Sequence, residues 1–261
     1  MRLALTNAPA AVADKLEWRT IGQGFDTAEL PVLAEGRKVD RIMLARVDPA
    51  WFRFVVRNSP TGDKDLDQWM MQTGAALVVN GSYYARNGEP DTPLLAEGKQ
   101  LGPKNYHARA GAFVSSSFFV GIRDLGGMDW KSVFQGAENA MVSYPLLVAE
   151  GKSRVGRPSR WLANRSFIGQ DEAGHIIIGT TTDAFFTLER LAQFLLDAPI
   201  GLTIALNLDG GPVACQGISL NGYNRRCYGR WEARVEGDRL WLLSWPYGTF
   251  AMPVILAVFP K

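Results

Sequence analysis

The stretch "GHIIIGTTTDAFFTLERLAQFLLDAPIGLTIALNLDGG", residues 174–211, carries the fold reading. Its first part is a buried strand with a polar end at Thr180 to Asp183. Thr187 then reads as an N-cap, Leu188, Leu191, Ala192 and Leu195 fall on one helical face, and Pro199 closes the region. A second apolar run leads into Asn207, Leu208, Asp209, Gly210 and Gly211. Strand, helix, strand with a crossover of this length favours parallel neighbours in one sheet. The expected fold is therefore α+β, a single domain with a partly parallel mixed β-sheet and a few packed helices.

Outward from this stretch, "RIMLARVDP" and "FRFVVRN" read as strands bounded by Pro49 and Pro60. "DLDQWMMQT" reads as a short helix that stops at Gly74. The spacing Asp63, Asp65, Asp67 resembles a calcium loop, yet the sixth position is Gln68 and the twelfth Gly74, so these acids read as capping groups. "AALVVNGSYY" is an apolar strand ending at Asn80-Gly81, and "RLWLLSWPYGTFAMPVILAVFP" supplies strands that return to the core.

With 261 residues and a hydrophobic fraction of 47%, the chain has enough apolar surface for one large core. No Ser/Gly linker, charge block or fixed-period repeat marks an internal boundary. The net charge of +2 gives no broad basic face for a nucleic-acid backbone, so no nucleic-acid partner is expected. Arginine nonetheless supplies 20 of the 28 basic residues. The acid-free interval between Glu150 and Asp171 carries Lys152, Arg154, Arg157, Arg160 and Arg165, a place where an anion can be gripped as well as an ordinary solvated loop. In residues 1–17 the apolar stretch is too short for a signal-peptide core, and no span is long enough to cross a membrane. Cys215 and Cys227 are spaced for a loop-closing disulfide or stand as two unrelated buried thiols.

Polar residues just past buried strands are held rigidly yet face solvent, which is where sites are built. Three strand ends qualify: Asn80-Gly81-Ser82, Thr181-Thr182-Asp183, and Asn207 through Gly211. Other constellations fail. With only His107 and His175 and no Gly-x-Ser-x-Gly, a serine hydrolase is not supported. There is no HExxH, zinc spacing, Walker loop or GxGxxG, so no metal and no cofactor are expected. His175 reads as a structural turn residue, His107 as one near a cleft, and the Asn-x-Ser sequons at Asn80 and Asn164 as coincidental.

"VVNGSYY", "SYPLLVAEGK", "NRSFIGQDEAGHIIIGTTTD", "TLERLAQFL" and "ALNLDGG" follow one another in an order that resembles the phosphodiester glycosidase family. That family is named for the uncovering enzyme, an N-acetylglucosamine-1-phosphodiester alpha-N-acetylglucosaminidase. The resemblance spans roughly residues 40–258 and divides the chain into an N-terminal extension with the first strands, residues 1–39, and a phosphodiester glycosidase-like domain, residues 40–261. It implies a hydrolase that cleaves a sugar from a sugar-1-phosphodiester, acting on a bacterial glycan or glycoconjugate. It also implies export to the periplasm or outside the cell.

Carried over by position, the resemblance makes Asp209, Arg165 and Asn80 the catalytic candidates, and Gly81, Tyr83, Asn207, Gly210, Gly211 and Asp183 the substrate-binding ones. Cleaving an anomeric carbon from a phosphate oxygen builds positive charge on the sugar and negative charge on the leaving group. Arg165 with the amides of Gly210 and Gly211 would serve the phosphate, Asp209 the sugar or a water, and Asp183 is the reserve carboxylate. Asn80 would hydrogen-bond the sugar or hold Asp209, and Tyr83 or Tyr84 would stack on a ring or fill the core. Where the family commonly has a small hydroxyl residue after the glycines, this chain has Pro212 and Val213. That departure motivates one alternative, a binding module for an anionic saccharide; the other is a metal-dependent phosphodiesterase.

Overall fold

The protein is described here from a computed structural model covering residues 10–59, 61–108, 110–156, 159–237, 239–244 and 250–261. The start of the N-terminal apolar stretch, Pro60, Arg157 and the 245–249 part of the closing segment lie outside the described residues.

Most of the chain is strand. The largest sheet runs in the order β1 (Val12–Ala13), β3 (Phe25–Ala34), β4 (Arg37–Val47), β16 (Ile176–Thr181), β15 (Ser166–Asp171), β17 (Leu202–Asn207), β12 (Leu146–Ala149), β13 (Lys152–Ser153), with β2 (Arg19–Gly22) also paired to β3. A second runs β19 (Tyr223–Cys227), β18 (Gln216–Leu220), β6 (Leu77–Asn80), β22 (Val254–Pro260), β5 (Phe52–Asn58). A third runs β10 (Val120–Asp124), β9 (Gly111–Ser115), β11 (Asn139–Ser143), β7 (Leu94–Ala96), β8 (Lys99–Leu101). A small sheet of β14 (Trp161–Ala163), β20 (Glu232–Glu236) and β21 (Arg239–Leu242) completes the set.

The expected α+β fold with a partly parallel sheet is overturned. The pairings β4–β16, β16–β15 and β15–β17 are all antiparallel, as are those of the other sheets. The crossover from β16 to β17 does leave these two strands pointing the same way, but they are not neighbours. β15 lies between them, with Ile168 opposite Ile178 on one side and Leu206 on the other. A crossover fixes relative direction and leaves open how many strands it skips. Here the strand preceding β16 folded back as a hairpin and filled the gap. The helices are short: α1 (Leu66–Thr73), α2 (Trp130–Phe134) and α3 (Leu188–Asp197). The protein is mostly antiparallel β, with helices packed on the outer faces of its sheets.

The alternation of side chains shows how the layers form. Ile176 and Ile178 enter a central core with Phe54, Leu77, Val79, Phe113, Leu206 and Leu256, drawn from the three larger sheets. Ile177, between them, points the other way to meet Leu191 and Leu195 of α3. Val78 similarly turns outward to Leu66, Trp69 and Met70 of α1. Two faces are thus buried on each of these strands, which explains runs such as "HIIIG" and "LVVN" that do not alternate in polarity.

Both long helices begin as their sequences indicate. Asp65 caps α1 through Gln68 N at 2.9 Å, while Gln68 Oε1 accepts from Asp65 N at 2.9 Å, and Gly74 ends the helix in the left-handed conformation. Asp67 accepts from Arg226 Nε at 3.1 Å and from Tyr228 OH at 2.6 Å. Thr187 caps α3 through Arg190 N at 3.2 Å.

Cys215 and Cys227 are both free and buried. Cys227 lies opposite Gln216, so Cys215 is one residue out of register and its side chain joins the α1 side of the sheet. A one-residue offset puts two side chains on opposite faces, which rules out the bridge in this arrangement.

Candidate active site

The ends of β6 and β17 meet at Asp209. Asn80, the last residue of β6 and 2% exposed, donates from Nδ2 to Asp209 O at 2.8 Å and accepts from Cys215 N through Oδ1 at 3.2 Å. Asn80 thus holds the Asp209 backbone. Gly81 accepts from Asp209 N at 3.1 Å. A Cβ on Gly81 would stand 3.1 Å from the Val254 main chain, so its place in the site is close packing against β22.

Asp209 Oδ1 accepts from Gly210 N at 2.8 Å, and Oδ2 has no protein donor among the described residues. Burial pushes this carboxyl up to about 7, and the neighbouring charge of Glu232 raises it while Arg165 opposes the rise. Gly211 donates to Asn164 O at 2.9 Å and adopts a φ of 70°. A Cβ there would stand 3.2 Å from Glu232 Oε2. The two glycine amides expected to face a phosphate are therefore both engaged, one by Asp209 and one by Asn164.

Arg165 is 5% exposed. Its Nε donates to Phe186 O at 3.2 Å and its Nη2 to Trp161 O at 2.8 Å. Nη1 makes no protein hydrogen bond among the described residues and lies 3.2 Å from where a Gly210 Cβ would be. Burial lowers the guanidinium's pKa, while Tyr83, Glu232 and Asp209 favour its charge. One nitrogen of a buried, fixed cation is thus left beside the Asp209 turn, the arrangement needed to receive an anionic oxygen.

Asn164 links the remaining pieces. Its Nδ2 donates to Thr181 O at 2.9 Å and Asp183 O at 3.3 Å, and its Oδ1 accepts from Arg230 N and Trp231 N. The loop after β16 is pinned in turn by Asp40, whose carboxylate accepts from Asp183 N at 2.9 Å and Phe185 N at 3.3 Å. Burial pushes Asp40 up to about 7. Asp183 contributes its main chain to this scaffold, while its exposed carboxylate accepts from Thr182 Oγ1 at 3.2 Å. The charges acting on Asp209 include those of Glu232, Arg165 and Asp91, and Glu232 Oε2 faces Gly211 across the turn.

Tyr83 closes the other side. Its hydroxyl donates to Tyr144 O at 2.9 Å and accepts from Asn207 Nδ2 at 2.8 Å, and its ring stacks on Tyr144 at 4.3 Å. Burial raises the Tyr83 hydroxyl's pKa, and Asp209 adds to the rise. Asn207 also donates to Leu208 O at 2.6 Å, and its buried Oδ1 has no partner among the described residues. Tyr84 packs against the central core and is pushed up to about 12, chiefly by burial.

Two of the comparisons with solved structures give the fold. The zebrafish N-acetylglucosamine-1-phosphodiester alpha-N-acetylglucosaminidase catalytic domain, auto-inhibited by its pro-peptide, matches with a TM-score of 0.62 at 14% identity, covering 98% of this chain and 85% of that one. A hypothetical protein from Synechocystis matches with a TM-score of 0.59 at 14% identity, covering 95% of this chain and 64% of the other. No curated protein matches by sequence. The family model for phosphodiester glycosidases matches residues 73–216, more than half of the chain. The chain belongs to the phosphodiester glycosidase family.

That matched segment contains Asn80, Arg165 and Asp209 but not Glu232. Glu232 escaped the sequence reading because "RWEARVEGDR" is an ordinary alternating strand, and only folding sets it against Gly211. Asn164 was visible only as a sequon; it is fully buried, as is Asn80 nearly so, and both side chains are engaged. Two arginines of the basic interval are already engaged among the described residues. Arg154 pairs with Asp124 at 2.9 Å and Glu150 at 3.8 Å, and Arg165 is drawn inside. His175 Nδ1 lies 2.9 Å from Asp171 Oδ2 at a turn. Val213 is buried at the end of the Gly211–Val213 turn.

Proposed function

We propose that this phosphodiester glycosidase hydrolyses a sugar-1-phosphodiester, releasing free sugar and a phosphomonoester, with a bacterial glycan or glycoconjugate as the natural substrate. The observation that carries the reading is the unpartnered Nη1 of buried Arg165 beside the Asp209 turn. Arg165 takes the phosphate, whose departure with the glycosidic oxygen it stabilises. Asp209, through its free Oδ2, faces the anomeric carbon or the water that attacks it. A phosphate leaves as a stable anion, so no strong acid is demanded. Asn80 and Gly81 hold Asp209, and Asn164 holds the turn.

Glu232 acts through Asp209. Its Oε1 accepts from Trp161 Nε1 at 2.6 Å, which fixes it near Gly211, and its charge keeps the Asp209 proton on to higher pH. Glu232→Gln removes that charge. The acidic limb of the kcat/KM profile then moves to lower pH by about half a unit to one unit. A limb that stays in place shows that the two carboxylates are not coupled.

Product analysis tests the reading. A panel of sugar-1-phosphodiesters, nucleotide sugars included, should give free reducing sugar plus phosphomonoester, and the yield should withstand a chelator. Sugar phosphate as product, lost on chelation, would instead support the metal-dependent phosphodiesterase. Saturable binding without turnover would support the binding module. Among the described residues no three His, Cys, Asp or Glu side chains are gathered as metal ligands, and no helix is long and apolar enough to cross a membrane. Export to the periplasm or beyond is part of this proposal and rests on the family resemblance.

A further inference from the structure

Beside the Tyr83–Tyr144 stack lies a cavity of about 470 Å³ that the reaction described above does not use. Its walls include Tyr106, His107, Ser143, Tyr144, Asp124 and Arg154. We infer that this cavity is a subsite for one neutral saccharide unit of the substrate, stacked on the free face of Tyr144. The inference rests on the phosphodiester glycosidase reading.

Three features carry it. Tyr144 is 42% exposed although one face of its ring is covered by Tyr83 at 4.3 Å and 18°. The uncovered ring surface lines the cavity, and a flat, half-apolar aromatic face with a polar edge suits the C–H face of a pyranose. The arginine of the cavity is already paired, since Arg154 is held by Asp124 at 2.9 Å and by Glu150 at 3.8 Å. A second phosphate would find the Arg154 guanidinium already paired, whereas sugar hydroxyls would find the polar edges of Tyr106 and His107. The volume falls within the range of about 300–1,000 Å³ typical of small-ligand sites.

The cavity is also joined to the reacting centre. Tyr144 O accepts from Tyr83 OH at 2.9 Å and Asn207 Nδ2 at 3.1 Å, and Ser143 Oγ donates to Asn207 O at 2.6 Å. Asn207 ends the strand that leads directly into Asp209. Both Tyr144 and Tyr83 feel the charge of Asp209. A group seated on Tyr144 is therefore linked through Asn207 to the turn that carries Asp209.

The saccharide is either the sugar released or a sugar serving as the alcohol on the far side of the phosphate, and two substrates separate these sources. Both carry N-acetylglucosamine-1-phosphate, esterified in one case to methanol and in the other to a monosaccharide hydroxyl. KM is measured on each for the native protein, Tyr144→Ala and His107→Ala; the second variant alters the cavity without touching the Tyr83 stack. If the cavity holds the alcohol sugar, the ratio of KM for the saccharide ester to that for the methyl ester rises about fivefold. If it holds the released sugar, KM rises on both and the ratio stays constant. Either result supports the subsite; unchanged KM on both esters in both variants overturns it. Failure of the native protein to turn over either ester counts against the glycosidase reading itself. Calorimetric titration with N-acetylglucosamine and with the monosaccharide phosphate then decides the subsite: binding weakened by Tyr144→Ala upholds it, and binding that is absent or unaltered overturns it.

Discussion

Asp209→Asn lowers the release of sugar from a sugar-1-phosphodiester by about 10²- to 10⁴-fold, the usual range for loss of an acid–base group. Asn preserves the acceptor for Gly210 N, now 2.8 Å from Oδ1, and occupies the same volume. What disappears is the negative charge on the unpartnered Oδ2. In the native protein kcat/KM climbs with pH and levels off above about 7, the value to which burial and Glu232 push this carboxyl. The variant shows no such limb. Stability moves in the opposite sense. Because the folded carboxyl holds its proton more tightly than the unfolded one, the stability it contributes is fully present below about 4. That contribution is lost as pH rises through about 7. At 1.36 kcal/mol per pH unit, a rise from 3.8 to about 7 corresponds to a ceiling of about 4 kcal/mol, reduced by the solvent that reaches the site. Asp209→Asn is therefore the more stable protein at pH 8, and its advantage shrinks toward pH 4. Urea midpoints at several pH values check this, and an inactive variant with no stability gain at pH 8 would mean that Asp209 is not buried as an anion.

Arg165→Ala damages both the site and the fold. The side chain donates to Phe186 O and Trp161 O, at 3.2 and 2.8 Å; its removal leaves Trp161 O without this donor and Phe186 O with only Ala163 N at 3.4 Å. With about 1–3 kcal/mol for a carbonyl that loses its donor, unfolding free energy falls by about 1–3 kcal/mol. Arg165→Lys retains the charge but cannot reach both carbonyls and the phosphate position from one nitrogen. For Lys the expected loss in kcat/KM is about 10²- to 10³-fold, comparable to removal of one oxyanion donor, with a smaller stability loss than for Ala. Urea unfolding and steady-state kinetics on both variants measure this. A Lys variant with native kcat/KM would show that the guanidinium serves only the loop after β16.

The elements that depend on local chemistry were legible in the sequence. Asp65 with Gln68, Gly74 and Thr187 mark helix ends by hydrogen bonds within a few residues, and those marks hold in three dimensions. Sheet order was not legible. β16 and β17 run the same way, as strand–helix–strand indicates, yet nothing within residues 174–211 shows that β15 enters between them. The Asp209 turn could be found because its carboxylate and glycines lie together in the chain. Glu232 could not, since its alternating strand gives it no unusual local context, and Tyr144, though inside the "SYPLLVAEGK" segment, carried no mark of its stacking on Tyr83. The glycine amides misled for a related reason: their partners, Asp209 Oδ1 and Asn164 O, depend on the turn's conformation.

The central claim is that the bond between anomeric carbon and oxygen is broken while the phosphorus–oxygen bonds survive. Hydrolysis in ¹⁸O-labelled water tests it directly, with the products separated and weighed by mass spectrometry. The expected result is ¹⁸O in the released sugar and unlabelled phosphomonoester, with Asp209→Asn forming both products about 10²- to 10⁴-fold more slowly. Label in the phosphate would place the attack at phosphorus and contradict it.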